Sequence, residues 1–383
     1  WDAGASYTLL PAVLRDLFRK TGRPLERELE LEPLDLVREH RFEDDTTLAL
    51  PTSRAGQLRA LDALEPGLGE RWAAHVDSFT EDWEVLRQHY FEHPWQRAAL
   101  PDPVRRRFDS REMLHKRLKK TLKDERLRDL ATFPFLAEGH DPRNVPAWMG
   151  LVAYLEQRFG TWHVPGGMAR IGEVMAGRLT TRGVTVLLGT PARDVVLREG
   201  RAVAVRTDEG DIAADEVVVA VDPRGLPSLA PLVERTMPAI PPVVCHVGLE
   251  GDVPDLPHEV VLHGDPLLVV RTGGHAPDGR HAWTIHGRGK IAEDLLRALA
   301  RHRIDVRAQL VHRVDRSPRE LVQQWGSSPL GVLWQGRSTV RARLGPDTPI
   351  PHLHTAGAHA TPGAGLPFVG LSAALVAERI GPA

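Results

Sequence analysis

Residues 350–380 read IPHLHTAGAHATPGAGLPFVGLSAALVAERI, and the rest of the chain is best interpreted around this stretch. The alternation in residues 353–357 is typical of the end of a short strand. Residues 362–365 are small or bending, and the apolar spacing of residues 368–380 predicts a helix that Pro367 can start. A strand, a glycine-rich turn and a helix can hold a phosphate or another anion at the helix start. The alternative is an ordinary strand-to-helix turn.

The composition bounds the kind of protein. The 383 residues suffice for two domains, or for one large domain with an inserted lobe. Net charge is −2, which argues against a dedicated nucleic-acid binder. No run is apolar and long enough to span a bilayer, and no signal peptide is expected, so a cytoplasmic location is expected. The single cysteine, Cys245, lies in the apolar run PPVVCHVGL and is predicted to be buried and unreactive.

Helices and strands are predicted in a recognisable order. An amphipathic helix carries Leu14 and Phe18 on one face, and strands follow in residues 28–53. Residues 55–160 are mostly helical in pattern, with breaks at prolines. Residues 184–221 predict a set of short strands, which read VTVLL, ARDVVL, AVAVRT and IAADEVVVAV.

Residues 104–128 form a basic stretch, with eleven Lys or Arg against four Asp or Glu. Leu114, Leu118 and Leu122 fall at steps of four, which predicts one apolar helix face. A basic amphipathic helix of this kind can lie on an anionic membrane surface. The alternative is a solvated helix packed through its leucine side.

Gly287, Gly289 and Ala292 match the dinucleotide fingerprint G-x-G-x-x-A, and Asp315 follows at a distance suited to a ribose contact. Against this interpretation, the neighbours of Gly289 are the bulky Arg288 and Lys290, and no unit of parallel apolar strands surrounds the motif. A second candidate is a metal pair at His352 and His354, near His359. No third or fourth ligand has suitable spacing, so no metal site is predicted.

Six stretches, taken in order, resemble the phytoene desaturase family of flavin-dependent oxidoreductases, which is related to amine oxidases. They are WDAGASYTLLPAVL (1–14), LEPLD with RFEDDTTLALPTS (31–35 and 41–53), WHVPGGMARIGEVMAGRLTTRGVTVLLGTPARDVV (162–196), GRAVAVRTDEGDIAADEVVVAVDP (200–223), RSPRELVQQWGSSPLGVLWQG (316–336) and HTAGAHATPGAGLPFVGLSAAL (354–375). The last stretch is the most specific. The others are weak singly and persuasive in this order.

The resemblance implies an α/β, FAD/NAD(P)-binding flavoprotein fold with an α+β substrate lobe. The flavin lobe would comprise residues 1–10, 160–224 and 344–383. The substrate lobe would comprise residues 11–159 and 225–343, with helices in 55–159. The family opens with a βαβ unit carrying G-x-G-x-x-G, which this sequence does not contain. We therefore expect a fold truncated at its start, by roughly 30 residues or more.

The resemblance also implies a cofactor, FAD, and the residues near it. The implied contacts lie in four places along the chain: Asp2 and Gly4; Gly166, Gly167 and Met168; Ala192; and Gly357, Ala358, His359, Gly363, Ala364, Gly365, Leu366 and Pro367. The reaction would remove two hydrogens from a C–C bond of an apolar, isoprenoid or carotenoid-like substrate, with hydride passing to the flavin. No catalytic base is assigned. Residues 104–128 would touch an anionic membrane peripherally.

Two other functions stay open at this point. One is a non-catalytic remnant that folds but cannot hold FAD. The other is a nicotinamide-dependent dehydrogenase that uses residues 287–292.

Overall fold

The computed structural model describes residue 1 and residues 3–382. Within them the α-helices are α1 (Pro11–Lys20), α2 (Arg54–Leu64), α3 (Leu68–Asp77), α4 (Thr80–Leu86), α5 (Asp102–Phe108), α6 (Leu114–Thr121), α7 (Glu125–Ala137), α8 (Val152–Phe159), α9 (Ala169–Thr181), α10 (Leu295–Arg301), α11 (Pro318–Trp325), α12 (Ser338–Ala342) and α13 (Leu366–Ile380). The strands are β1 (Glu32–Pro33), β2 (Leu36–Arg41), β3 (Thr47–Pro51), β4 (Trp162–His163), β5 (Asp194–Arg198), β6 (Arg201–Thr207), β7 (Gly210–Ala213), β8 (Val217–Val219), β9 (Val243–Glu250), β10 (Glu259–Leu262), β11 (Leu267–Gly274), β12 (Arg280–Arg288), β13 (Leu310–Arg316) and β14 (Leu353–Thr355).

A seven-stranded sheet is the largest sheet among these residues. Its strand order is β13-β9-β12-β11-β10-β2-β3, and β10 with β2 is its one parallel pair within the described chain. That pair sets Val260 opposite Glu39, and so joins two parts of the chain far apart in sequence. The β2–β10 pair therefore joins the hairpin β2–β3 to the other five strands of the sheet. All the other strand pairs of this sheet are antiparallel.

One face of this sheet is apolar and packs against α10. Cys245, Val270, Trp283 and Ile285 alternate inward along their strands and meet Leu299 of the helix. The predicted burial of Cys245 is confirmed, and burial raises the pKa of its thiol to about 12. Because the thiolate is the reactive form, its low reactivity stays a prediction with a clear physical basis.

The opposite face carries a row of polar side chains across five strands. His246 Nδ1 lies 2.9 Å from Thr284 Oγ1, and the next strand places Arg271 opposite Thr284. Arg271 and Arg38 both donate to Glu259, at 2.9 and 3.1 Å. Arg38 is only 1% exposed, so its charge is buried and depends on these partners.

The start of the chain lies across this polar row. Trp1 stacks on His312 with 5.4 Å between ring centroids. The Gly4 carbonyl accepts from Arg271, and the Ser6 carbonyl lies 2.7 Å from His258 Nε2. The hydroxyl of Tyr7 accepts from Arg38 at 2.7 Å. These contacts fix the first residues to the seven-stranded sheet.

The helices between residues 54 and 159 share one large core, and they correct the prediction for residues 104–128. That stretch is not one helix: it contains α5, α6 and the start of α7. Leu114, Leu118 and Leu122 are all buried in the helical core. Because this leucine stripe already packs against protein, it does not meet lipid, and only the charged side faces solvent.

Residues 184–221 contain three of the four strands predicted for this segment. β5, β6 and β7 form an antiparallel meander, and β8 pairs in parallel with β14. The predicted strand VTVLL is wrong, because residues 184–188 form no strand. A strand needs a neighbour for its peptide groups, and no described strand pairs with this segment. Leu188 is consequently 89% exposed.

The last helix, α13, packs on the first. Leu14 and Phe18 of α1 are buried, as their spacing predicts. Gly370 is required at the crossing, because a Cβ there would lie 2.8 Å from Val13 Cγ1. The helix α1 is thus in direct contact with α13, which follows the turn described next. No described helix is both long and apolar enough to cross a membrane.

Candidate functional site

The closing turn, residues 356–365, joins β14 to α13. At its start the N–H of Ala356 donates to Val219 O at 3.0 Å, which continues the parallel pairing with β8. The N–H of Gly357 donates to Ser372 Oγ at 3.2 Å, and Ser372 is fully buried on α13. These two bonds hold the strand end against the helix, so the turn between them has a fixed base.

The second half of the closing turn presents free main-chain donors. Within the described chain, the N–H groups of Gly363, Ala364, Gly365 and Leu366 donate to no other residue. Pro367 occupies the first turn of α13, where its missing N–H costs nothing. Donors at a helix start carry a partial positive charge and are suited to an anion.

Two glycines of this turn are needed for its shape. Gly363 has φ +136°, and a Cβ there would lie 2.9 Å from Arg343 Nη1. Gly365 has φ +103°, and a Cβ there would lie 3.1 Å from Phe368 Cδ2. Other residues rarely adopt such φ values, so both positions combine a steric and a conformational requirement.

Arg343 and Tyr90 support the turn from below. The Pro362 carbonyl accepts from Tyr90 Oη at 2.9 Å and from Arg343 Nη1 at 3.0 Å. Arg343 Nη2 donates to Val332 O at 2.9 Å, and the guanidinium lies 4.7 Å from the Trp334 ring centroid. Nothing in the local sequence marks Arg343 or Tyr90 for this role, because both reach the turn from distant segments.

His359 has structural partners near both ring nitrogens. Its Nε2 donates to Ser328 O at 3.0 Å, so Nδ1 is the acceptor side. Nδ1 lies 3.4 Å from Arg224 Nη2 and 3.7 Å from Asp222 Oδ2. Burial lowers the pKa of His359, which keeps the ring neutral at pH 7.

The Gly166–Gly167 turn lies close to the start of α13. Both glycines have positive φ, +80° and +105°. Met168, which follows them, is buried in a cluster with Leu14 and Phe18, and Leu366 packs against the same cluster. The structure therefore places Met168 beside the first residue of α13, within the same apolar cluster.

The remaining predicted contacts lie elsewhere. Asp2 falls outside the described residues. Gly4 is tied to Arg271 of the large sheet. Ala192 is exposed just before β5. No described hydrogen bond joins Gly4 or Ala192 to the closing turn, so their predicted roles remain predictions.

The Gly289 turn, residues 287–294, is not a dinucleotide site. Its strand, β12, lies between two antiparallel neighbours and belongs to no βαβ unit. The N–H of Lys290 donates to Asp265 Oδ1 at 2.6 Å, so a carboxylate already occupies the place a phosphate would need. Asp315 pairs with Arg313 at 2.8 Å. The nicotinamide interpretation of this motif is therefore wrong.

His352 and His354 share a partner. Their ring nitrogens lie 2.8 and 2.9 Å from the two carboxylate oxygens of Glu216. His354 also contacts Pro346 O through Nδ1 at 2.6 Å. In the described part of the chain, no group of three or more His, Cys, Asp or Glu is arranged to hold a metal ion.

Comparison with known proteins identifies the family of this chain. The profile of the family described as flavin containing amine oxidoreductase matches residues 32–381. An all-trans-zeta-carotene desaturase of Myxococcus xanthus is 28% identical over 73% of this chain and 56% of its own length. A hydroxyneurosporene desaturase of Cereibacter sphaeroides is 27% identical over 99% of this chain and 87% of its own. The chain thus spans little more than half the length of some curated relatives and most of others.

Solved structures agree on the fold. A double mutant of putrescine oxidase superposes with a TM-score of 0.66 at 15% identity, covering 99% of this chain and 90% of that one. Cyclohexylamine oxidase from Brevibacterium oxydans gives 0.62 at 18% identity, covering 98% and 87%. The predicted fold class and the predicted resemblance are confirmed, and the family match gives FAD as the cofactor. The chain belongs to the flavin-containing amine oxidoreductase family.

Proposed function

We propose that this protein is an FAD-dependent oxidoreductase that removes two hydrogens from a C–C bond of an apolar, isoprenoid or carotenoid-like substrate. The observation that carries the proposal is the closing turn, whose four free N–H groups sit at the start of α13 in a chain of a flavin-containing family. The two relatives described above are named a zeta-carotene desaturase and a hydroxyneurosporene desaturase. Their names favour a C–C bond over an amine as the reacting group.

The described residues fit the anionic part of FAD. The N–H groups of Gly363, Ala364, Gly365 and Leu366 would donate to its diphosphate or ribityl oxygens, and Gly363 and Gly365 leave the close approach free. When bound, the flavin supplies the hydride acceptor. The protein's own task is to position it, through the Ser372 bond to Gly357 and the Arg343 bond to Pro362.

An aromatic cluster packs beneath the closing turn. Tyr90, which bonds the turn at Pro362, is surrounded by the rings of Trp95, Phe108 and Trp148 at centroid distances of 6.0, 5.9 and 6.1 Å. These rings exclude water from the base of the site. An isoprenoid hydrocarbon offers no hydrogen-bonding group, so apolar surroundings and a fixed flavin would matter more than an acid–base pair.

The decisive experiment offers the purified protein two substrate classes under anaerobic conditions. With bound flavin, phytoene should bleach the yellow flavin absorbance, and its product should absorb at longer wavelength because conjugation is extended. Putrescine and cyclohexylamine serve as the comparison, since the solved neighbours include amine oxidases. Bleaching by an amine but not by phytoene would refute the C–C assignment. A folded protein that retains no added flavin would instead favour the non-catalytic remnant.

We further propose a cytoplasmic protein that touches an anionic membrane peripherally, through the exposed side of α6 and its flanks. Ion pairs limit which cations would be available for this contact. Arg105 pairs with Asp102, and Arg107 pairs with Asp82, so these two are engaged. Six cations in this region have no ion pair among the described residues: Arg106, Arg111, Lys116, Lys119, Lys120 and Lys123. Each is worth about 1 kcal/mol near an anionic surface, so several together would bind reversibly.

Vesicle co-sedimentation tests this contact. Replacing Lys116, Lys119, Lys120 and Lys123 by glutamine should abolish binding to anionic vesicles at low salt. The matched control replaces four exposed arginines outside this region that have no ion pair among the described residues: Arg59, Arg198, Arg201 and Arg235. Equal loss in both quadruple variants would mean that only net charge matters, and would remove the assignment to α6.

A further inference from the structure

A basic cleft of about 480 Å³ lies between the loop after α1 and the C-terminal half of α9. Gly22, Arg23 and Glu28 line one side, and Gly177, Arg178 and Arg182 line the other. None of these residues takes part in the flavin site. The Gly166–Gly167 turn precedes α9, whereas the cleft lies along its last turns. The 13 residues of α9 separate the two ends by roughly 20 Å.

Arg178 forms the deepest wall of the cleft. Its side chain is 14% exposed, and its Nη1 lies 3.7 Å from Glu28 Oε1. Its Nη2 donates to the carbonyl of Thr21 at the end of α1. Its Nε is buried and has no hydrogen-bond partner in the described chain. Because Nε is buried, Arg178 would meet a ligand in the cleft through its Nη groups.

The charges around the cleft do not balance. Arg23 Nε lies 2.9 Å from Glu28 Oε1, so Glu28 serves both Arg23 and Arg178. Arg182 donates to the Thr21 carbonyl and has no carboxylate partner among the described residues. Three guanidinium groups therefore face one carboxylate, which leaves a formal excess of two positive charges.

Two glycines keep the space between the arginines open. Gly22 has φ +98°, and a side chain there would collide with the Arg182 guanidinium. Gly177 faces open space on α9, where no heavy atom lies within 4 Å of its Cβ position. The cleft is thus lined by these two glycines and three arginines, together with Glu28, Val174 and Thr181.

We infer that this cleft binds an anion of the phosphate class, a phosphate monoester or a diphosphate. Planar guanidinium groups donate in pairs to phosphate oxygens, and such charge-assisted bonds are stronger than neutral ones. Three arginines around one opening match a group that carries several oxygens and at least two negative charges. The volume accommodates a diphosphate together with the first atoms attached to it. This site is additional to the flavin function.

Inorganic pyrophosphate is the probe, and titration calorimetry on the purified protein is the measurement. Arg182→Gln is the main variant, because Arg182 is exposed and its loss does not threaten folding. Its affinity for pyrophosphate should fall roughly tenfold, since a hydrogen bond to a charged group is lost. Arg178→Gln should weaken binding at least as much. Glu28→Gln should strengthen it, because the remaining negative charge is removed.

The matched control is Arg158→Gln, an exposed arginine in the last turn of α8 with no ion pair in the described chain. Its affinity should equal that of the wild type. The difference between Arg182→Gln and Arg158→Gln locates the site, so binding of pyrophosphate at the closing turn cannot imitate the result. Flavin content should be the same in all four variants, which separates this inference from the proposed function.

A second arm separates two sources of the anion. Vesicles containing phosphatidic acid present a phosphate monoester on a lipid surface. If vesicle binding is lost in Arg182→Gln and is displaced by pyrophosphate, the physiological group is a lipid headgroup. If pyrophosphate binds and the vesicles do not depend on Arg182, the group is soluble. Absence of pyrophosphate binding at millimolar concentration, or equal affinity in Arg182→Gln and Arg158→Gln, overturns the inference.

Discussion

The closing turn and the Gly289 turn have similar sequence patterns, but they differ in their capacity to bind an anion. Each follows a strand, contains at least one glycine of positive φ and leads into a helix. The strand before the closing turn pairs in parallel with β8, and its donors at the helix start are free. The strand before the Gly289 turn is antiparallel on both sides, and Asp265 accepts from the N–H of Lys290. Strand direction and free donors decide which turn can hold an anion; the glycine spacing alone does not.

The sharpest test of this contrast is Gly365→Val in the closing turn. The side chain would crowd Phe368 and fill the space above the free donors, in a backbone conformation that valine avoids. We expect flavin affinity to fall roughly tenfold or more, because at least one charged hydrogen bond is lost. Bound flavin, read from absorbance after desalting, is the measurement.

Gly200→Val is the control for that variant. Gly200 has φ +77° in the β5–β6 hairpin, and no heavy atom lies near its Cβ position. It carries comparable backbone strain without touching the closing turn, so its flavin content should be normal. Normal flavin content in a folded Gly365→Val protein would remove the closing turn from the site.

The corresponding substitution in the Gly289 turn is Gly289→Val. Gly289 has φ +94°, and a side chain there would collide with Asp265. We expect the free energy of unfolding to fall by about 2 kcal/mol, from backbone strain and the disturbed Asp265 contact. Urea unfolding measures this, and flavin content should be unchanged. A nicotinamide affinity column gives the contrary outcome. If the column retains the wild type but not this variant, the Gly289 turn does bind a dinucleotide and the distinction between the two turns is wrong.

A smaller effect is expected from pH, through His263 at the end of β10, two residues before Asp265. Burial, with a smaller contribution from the Arg38 charge, lowers the pKa of His263 to about 4. The unfolded chain, with an ordinary histidine pKa near 6.5, takes up the proton first as pH falls. The stability linked to His263 is therefore complete above about pH 6.5 and is lost as pH falls toward 4.

Urea unfolding at pH 7 and pH 5.5 measures this loss, which should be about 1 kcal/mol for His263. In His263→Gln the pH-dependent part should shrink by that amount, whatever the variant's stability at pH 7. An unchanged pH dependence would show that His263 is not neutral in the folded sheet beside the Gly289 turn.

Local sequence patterns predict the parts of the site that are continuous in the chain. The alternation before Gly357, the small residues to Gly365 and the apolar spacing after Pro367 give the strand, the turn and the helix where the structure has them. Each depends on near neighbours. The burial of Cys245 was predictable for the same reason, from its apolar run.

What depends on distant partners was not predictable. Residues 184–188 have a strand-like pattern but form no strand, because pairing requires a neighbour that the pattern does not describe. Arg343 and Tyr90 support the closing turn from segments with no motif of their own. In the basic stretch, the spacing of Leu114, Leu118 and Leu122 correctly predicts one apolar face. The spacing does not determine whether protein or lipid covers that face.

The parallel pairing of β2 with β10 has a consequence for synthesis of the chain. Arg38 and Glu259, which bond across this pair, are 221 residues apart in sequence. At ordinary elongation rates of about 5–20 residues per second, β2 leaves the ribosome roughly 10–45 seconds before its partner. During that interval the edge of β2 is unpaired and Arg38 lacks the Glu259 carboxylate that balances its charge. The helices up to residue 159 are made first and contribute Glu156, a second partner of Arg38. Until the rest of the sheet is translated, we therefore expect the unpaired edge of β2 to be covered by the helices up to residue 159 or by a chaperone.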